Sequence, residues 1–375
     1  MVARHLGIAT GIAQLGIDLG LHVVDVVHEV HASVASLQLP VGAGRPADPP
    51  AQPVYAAIRG GFTLARSSVG RLGQLLPVAD RPEDAALLQV RSVANGVFGQ
   101  RLAETGNALA IPMTLHRPDS AKRAPRAPQL LLLHGLCMSE AGWRRGAHPA
   151  FEAEMRGQGW DVAYLRYNSG LRISRNGAAL ASLLEADAAK GPLWLVGHSM
   201  GGLIARSALH QAREAGLRWP SRVRALVTLG APHDGAALER LGNHANRLFR
   251  VSPYTAPFAR LGNLRSDGIR DLRHGNLLED DWRDTPDPDH AHDPRRPVPL
   301  APGVRHVLVA ATRSEAADAP PAKLRDDLLV SVPSALAHAH HGSSPVERHV
   351  LPGLDHMGLL GSRRVHDLLR RIVGR

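Results

Sequence analysis

The stretch that most constrains this chain is LWLVGHSMGGLIARSAL, residues 193–209. Leu193–Val196 is a short apolar run of strand length. From Met200 onward the apolar residues recur at helical spacing. Between them the backbone has to reverse within Gly197-His198-Ser199-Met200-Gly201. So tight a turn forces its central residue toward angles that side chains rarely adopt. Glycines two before and two after leave room for strand and helix to close on each other. Ser199 is thereby pushed outward beside a helix N-terminus, whose partial positive charge favours a developing anion. The letters G-x-S-x-G alone are a weak signal. A strand before them and a helix after them make the pattern specific.

The surroundings of this turn predict an α/β architecture. From about residue 129, apolar runs alternate with helical patterns. The runs are Gln129–Leu133, Trp160–Tyr167, Leu193–Val196, Val223–Leu229 and Val304–Ala310, and the helices include Ser174–Ala189, Met200–Ala215 and Arg363–Val373. This rhythm predicts a mostly parallel sheet with helices on both faces. Residues 109–375 are expected to form that domain. Residues 236–285 interrupt it as a mostly helical insertion, either a lid whose Leu241, Leu248, Phe249, Phe258 and Leu261 face the site, or a side domain. Residues 1–108 read as a separate helical region, with a Pro/Gly-rich linker at 40–53 and helices at 54–77 and 82–105.

Composition narrows the class. The chain has 375 residues, 44% of them hydrophobic and 21% charged, which excludes global disorder. Its one cysteine, Cys137, excludes an intrachain disulfide framework. The formal charge is +10, but the arginines are scattered and form no dense run. A solvated Arg-rich surface is the expectation, with no nucleic-acid partner; attraction to anionic lipid is the better alternative. Leu6–Val24 is apolar, yet Asp18 and His22 interrupt it and Asp25, His28 and Glu29 follow, which is costly in hydrocarbon. It also lacks the basic start and cleavage site of an export signal. It reads as an amphipathic helix packed on the protein, with peripheral membrane contact second, and the location as cytoplasmic. The His/Asp-rich stretch 284–293 matches no ligand set, so no metal or cofactor is expected.

A serine hydroxyl needs a base, and the base needs an orienting carboxylate. Among the histidines beyond Ser199, His356 stands out, because LDHMGLL (354–360) forms a Gly-containing loop just before the last helix. His306, His338, His340, His341 and His349 are its rivals. For the acid, Asp327 in RDDLLVSVPSA (325–335) lies between the strand at 304–310 and the His356 loop. Asp326 and Asp234 remain alternatives. An oxyanion needs two backbone donors: Met200 N–H, after the serine, and Leu136 N–H, in the loop that follows the buried strand LLLL-His134-Gly135. His134, His198 and His233 are candidates for the pocket wall, His134 and His198 more as structural side chains than as proton carriers.

At this point the chain resembles the α/β-hydrolases, and more narrowly bacterial lipases and esterases close to the glycosylphosphatidylinositol-deacylase-like group. LLLHGLCMSEAGW (131–143), LRYNSG (165–170), VGHSMGGLIAR (196–206), TLGAPHDGA (228–236), DDLLVSVPSAL (326–336) and LDHMGLL (354–360) carry the resemblance. It implies nucleophile Ser199, acid Asp327, base His356 and an oxyanion hole at Leu136 and Met200. One departure concerns the acid. The motif often reads Asp-Gly-Leu-Val, and Leu328 here occupies the glycine's place beside a doubled Asp. The expected activity is cleavage of carboxylic esters through an acyl-enzyme, the rivals being an acyltransferase and a non-catalytic hydrolase-fold binding protein.

Overall fold

A computed structural model of the chain describes residues 10–18, 21, 60–61, 63–65, 85–117, 124–235, 266–283, 298–315, 326–337 and 346–374. It divides into two compact units, Met1–Glu83 with Arg101–Ala110, and Asp84–Gln100 with Ile111–Arg375.

In the first unit, residues 10–18 are helical. Asn107 Nδ2 donates to the Gly11 carbonyl at 3.2 Å, and Asp18 pairs with Arg101 at 3.5 Å. A Cβ on Gly11 would stand 2.8 Å from the Asn107 side chain, so this glycine serves close packing. Among the described residues no helix is long and apolar enough to cross a membrane. The expected linker at 40–53 and nearly all of the helix at 54–77 lie outside the described residues.

The second unit is built on a seven-stranded sheet. Its strands are β1 (Thr114–His116), β2 (Gln129–Leu133), β3 (Asp161–Arg166), β4 (Leu193–His198), β5 (Val223–Leu229), β6 (Arg305–Thr312) and β7 (Val346–Pro352). They lie in the order β1-β3-β2-β4-β5-β6-β7, and every pair is parallel except β1 with β3. The central strands were readable as apolar runs because parallel strands are buried on both faces. Alternate residues feed two cores. Leu131, Leu133, Leu165 and Leu195 pack with α3 (Ile173–Ala186) and α4 (Met200–Glu214) on one face. Leu130, Leu132, Val162 and Val196 pack on the other with α2 (His148–Gly157) and α7 (Arg363–Val373). A parallel sheet covered on both faces is the α/β architecture expected. Two edge strands, β1 and β7, were not expected. β1 is three residues long, and β7, Val346-Glu347-Arg348-His349-Val350-Leu351-Pro352, carries charges on a half-exposed rim.

Helix α1 (Ala85–Glu104) passes close to the sheet's carboxyl edge. Asn95 Oδ1 accepts the Ile111 N–H at 2.9 Å, and a Cβ on Gly96 or Gly99 would collide with Cys137 or with Asn168 and Gly170. Of the insertion at 236–285, residues 266–283 are described, and its five apolar candidates lie outside them. The described part is fastened to the core. Asp271, in α5 (Asp267–His274), pairs with Arg172 at 2.7 Å and accepts the Ile173 N–H at 2.8 Å. Leu277 O accepts from Ser207 Oγ at 2.6 Å.

Several histidines are buried here. His148 meets His366 at 3.0 Å and Tyr164 at 2.8 Å between α2, β3 and α7. Burial, then the nearby His366, pushes its pKa down to about 3. Burial likewise lowers His134 to about 4 and holds His198 well below its ordinary value. In the unfolded chain these rings titrate near pH ~6.5. Their folded values are depressed, so their contribution to stability is whole above that pH and is lost as the pH falls toward 3–4. Denaturant unfolding at several pH values should show stability level above neutrality and falling below pH ~6.5, by up to about 1.4 kcal/mol per pH unit for each such histidine. A stability unchanged between neutrality and pH ~4.5 would contradict the burial of neutral imidazoles.

Candidate active site

Strand β4 ends in Gly197-His198, and the backbone turns at Ser199 with φ 53° and ψ −125° before α4 begins at Met200. This is the left-handed region that L-residues avoid, at a cost of about 1–3 kcal/mol. Close contact explains the flanking glycines. A Cβ on Gly197 would lie 2.4 Å from the Gly202 nitrogen, and one on Gly201 would lie 2.6 Å from the carbonyls of Leu133 and His134. Ser199 N–H donates to the Leu229 carbonyl at 2.8 Å, tying the turn to the end of β5. Met200 opens the helix, where backbone N–H groups have no intrahelical acceptor.

The loop after β2 comes against this turn. A Cβ on Gly135 would stand 3.2 Å from Ser199 Cβ and 3.2 Å from His198 Nδ1, which places Leu136 one residue away. Cys137 follows at φ 59°, and its N–H donates to Ser169 Oγ at 3.0 Å. Burial pushes the Cys137 thiol up to about 12, so it carries no nucleophilic thiolate.

His356 and Asp327 are joined twice. The Nδ1–H of His356 donates to Asp327 Oδ2 at 2.7 Å, and its backbone N–H donates to the Asp327 carbonyl at 2.9 Å. Asp327 is fully buried, and its Oδ1 accepts the N–H groups of Leu329 and Val330 at 2.9 and 2.7 Å. These bonds fix the imidazole in the Nδ1–H tautomer. Its Nε2 is left as a buried acceptor with no partner among the described residues. The ring lies over Gly230, whose φ is +61°. A Cβ there would be 3.1 Å from His356 Nδ1 and 2.9 Å from Leu359. Since Gly230 follows Leu229, the acceptor of the Ser199 N–H, serine turn and imidazole meet at the carboxyl ends of β4 and β5.

The remaining candidates take other places. Asp326 faces Arg313 at 3.5 Å and caps the Leu328 N–H. Asp234 lies in the turn after β5, its N–H bonded to Ser334 Oγ. The carboxylate on the His356 ring is that of Asp327. His349 is in β7, bonded to Glu347 at 2.7 Å, and His306 is bonded to the Ala301 carbonyl. His338, His340 and His341 lie outside the described residues. His233 has both ring nitrogens engaged, Nδ1 by Arg206 at 2.9 Å and Nε2 by Thr228 at 3.0 Å, so it braces the turn after β5 and is no free pocket wall. His134 bonds to the Gly135 carbonyl and stacks on Tyr167 at 4.1 Å. His198 Nε2–H donates to the His356 carbonyl at 3.0 Å. Tyr167 and Gly230 escaped the sequence reading. Tyr167 closes an apolar strand run, and Gly230 sits in Leu229-Gly230-Ala231-Pro232, which reads as an ordinary turn. Among the described residues no group of acidic, histidine and cysteine side chains is placed to hold a metal.

A crossed parallel sheet with a strained serine between its central strand and the following helix defines the α/β-hydrolase fold. Residues 178–287 match the family model of the PGAP1-like alpha/beta domain. No protein of curated function matches the sequence. Among solved structures, the mature lipase BlEst2 of Bacillus licheniformis is 18% identical, at TM-score 0.43, over 70% of this chain and 98% of its own. The RedJ thioesterase of the prodiginine pathway in Streptomyces coelicolor is 19% identical, at TM-score 0.42, over 68% and 96%. Mouse alpha/beta hydrolase domain-containing protein 10 is 16% identical, at TM-score 0.42, over 70% and 92%. The match to the PGAP1-like alpha/beta domain covers 110 of the 375 residues.

The acid loop explains the departure at Leu328. This residue has φ 91°, the conformation that favours glycine. Leu328→Gly should therefore keep stability within about 1 kcal/mol of the parent, since relieved strain offsets lost packing and added chain entropy. Leu328→Val should destabilise by about 1–2 kcal/mol, because a β-branched side chain tolerates that φ worst. Denaturant midpoints of the two variants check this order; Val outperforming Gly would contradict the assigned geometry.

Proposed function

We propose that the protein is a serine hydrolase that cleaves carboxylic esters through an acyl-enzyme. The observation that carries this reading is the buried Asp327–His356 pair, joined at 2.7 Å and set over Gly230, next to the Leu229 carbonyl that accepts the Ser199 N–H. In the proposed reaction His356 Nε2 takes the Ser199 proton as Oγ attacks the ester carbonyl. The carbonyl oxygen becomes an anion held by the N–H groups of Met200 and Leu136. His356 gives its proton to the leaving alcohol, and the acyl group remains on Ser199. Water then attacks with His356 again as base, releasing the acid and restoring the serine. Asp327 stays ionised throughout and stabilises the imidazolium that forms twice per cycle.

Residues 109–375 form the proposed catalytic region, with 236–285 as its cap, and no metal or cofactor enters the reaction. A fluorophosphonate probe should label the full chain, and Ser199→Ala should abolish labelling. Equal labelling of both proteins, or none of either, would sink the hydrolase reading. Asp327→Asn should lower kcat on p-nitrophenyl esters about 10⁴-fold, as loss of the orienting carboxylate does elsewhere. Asp326→Asn and Asp234→Asn should leave kcat within a few-fold. If either of these, and not Asp327→Asn, stops turnover, the acid is misassigned. Alcohol acceptors that divert most product into a new ester would make the enzyme an acyltransferase.

A further inference from the structure

The N-terminal ends of α2 and α7 lie together at the carboxyl edge of the sheet. Ala147 N–H donates to the Gly361 carbonyl at 2.9 Å, and a Cβ on Gly361 would stand 3.2 Å from Arg145 Cβ. His148 meets His366 at 3.0 Å, and further along Arg370 pairs with Glu154 at 2.7 Å, so the helices run side by side in one direction. Each begins after a loop of the active site, α2 after the loop that holds Leu136 and α7 after the loop that holds His356.

Four arginines occupy this corner, Arg144 and Arg145 before α2, and Arg363 and Arg364 opening α7. All four are exposed. Arg364 donates to the Pro352 carbonyl at 2.6 Å, and among the described residues none of the four is paired with a carboxylate. Six arginines elsewhere are neutralised. Arg117, Arg156, Arg172, Arg218, Arg305 and Arg370 each face an Asp or Glu within hydrogen-bond reach. Neither helix carries an acidic residue in its first turn, so both helix ends add to the positive field. The exposed carboxylate on the neighbouring loop, Asp355, accepts the Gly358 N–H. The two loops also present the partly exposed apolar side chains of Met138, Leu354 and Met357. Four exposed arginines without a carboxylate partner among the described residues thus stand together beside the site.

We propose that this corner docks the protein on an anionic bilayer surface, with the mouth of the site turned toward the lipid. Guanidinium groups pair bidentately with phosphate oxygens, and basic clusters bind anionic leaflets through the surface potential. Apolar side chains beside the arginines suit a plane of headgroups with acyl chains beneath it better than the polar groove of a duplex. The purpose of the docking rests on the ester-hydrolase reading; the binding itself does not.

The test uses the full-length Ser199→Ala chain, so that hydrolysis plays no part. It is sedimented with vesicles of phosphatidylcholine alone, and of phosphatidylcholine with phosphatidylglycerol, at low and high salt. Binding is expected only with phosphatidylglycerol and should weaken with salt. Replacing Arg144, Arg145, Arg363 and Arg364 by Gln should lower partitioning about a hundredfold or more. Replacing all four by Lys should preserve binding within about tenfold. An equal charge loss at the amino edge of the sheet, at Arg126, Lys190, Arg213 and Arg224, should matter little. Circular dichroism and thermal unfolding establish that each variant is folded. Binding to phosphatidylcholine alone, an equal loss in the amino-edge variant, failure of the Lys variant, or tighter arginine-dependent binding to duplex DNA than to vesicles would overturn the proposal. Loss of probe labelling in the parent chain with vesicle binding intact would instead overturn only the hydrolase reading.

Discussion

The carboxyl edge of this protein depends on a strand and a helix approaching more closely than side chains allow. At Gly197 and Gly201 any Cβ would strike backbone within 2.6 Å. Only with both contacts made does Ser199 take φ 53° and present its hydroxyl beyond the sheet. The strain of about 1–3 kcal/mol at one residue is offset by what surrounds it. Leu195, Val196, Leu203, Ile204 and Ala205 are fully buried on β4 and α4, and each large apolar side chain contributes about 1.5–3 kcal/mol. The strained turn is therefore a local feature set in a well-buried core.

Much of this was legible in the linear chain, for physical reasons. Buried parallel strands are apolar on both faces, so β2, β4 and β5 stand out as runs such as Leu130–Leu133. The edge strand β7 does not. It pairs only with β6, and its charged side chains face Arg305 and solvent, which leaves Val346-Glu347-Arg348-His349 reading as a loop. His356 was distinguishable because it lies in a short loop between the last strand and the last helix. The choice between Asp326 and Asp327 was harder, since adjacent residues in a turn differ only in where the backbone points them. In the structure the two carboxylates diverge beside the positive φ at Leu328. The turn keeps a glycine-type conformation despite the leucine, sending Asp327 inward to the imidazole and Asp326 outward to Arg313. Contacts such as His198 with the His356 carbonyl, 158 residues apart, leave no local pattern to read.

The histidines near the carboxyl edge differ in what holds them. Beside His356, three others stand near the same edge, each engaged by a different bond. His198 gives its Nε2–H to the backbone of His356, and burial keeps its other nitrogen unprotonated. His134 gives Nδ1–H to the Gly135 carbonyl and lies flat on Tyr167 in a fully buried site. His233 accepts the Arg206 guanidinium at Nδ1, which blocks a second proton there. A cation on His134 or His198 would be buried, at a cost of several kcal/mol. His356 has a carboxylate partner, the buried Asp327, so a positive charge arising on it is matched at 2.7 Å. In the proposed reaction this asymmetry selects the base. There the proton released by Ser199 rests on a ring whose charge the buried Asp327 matches.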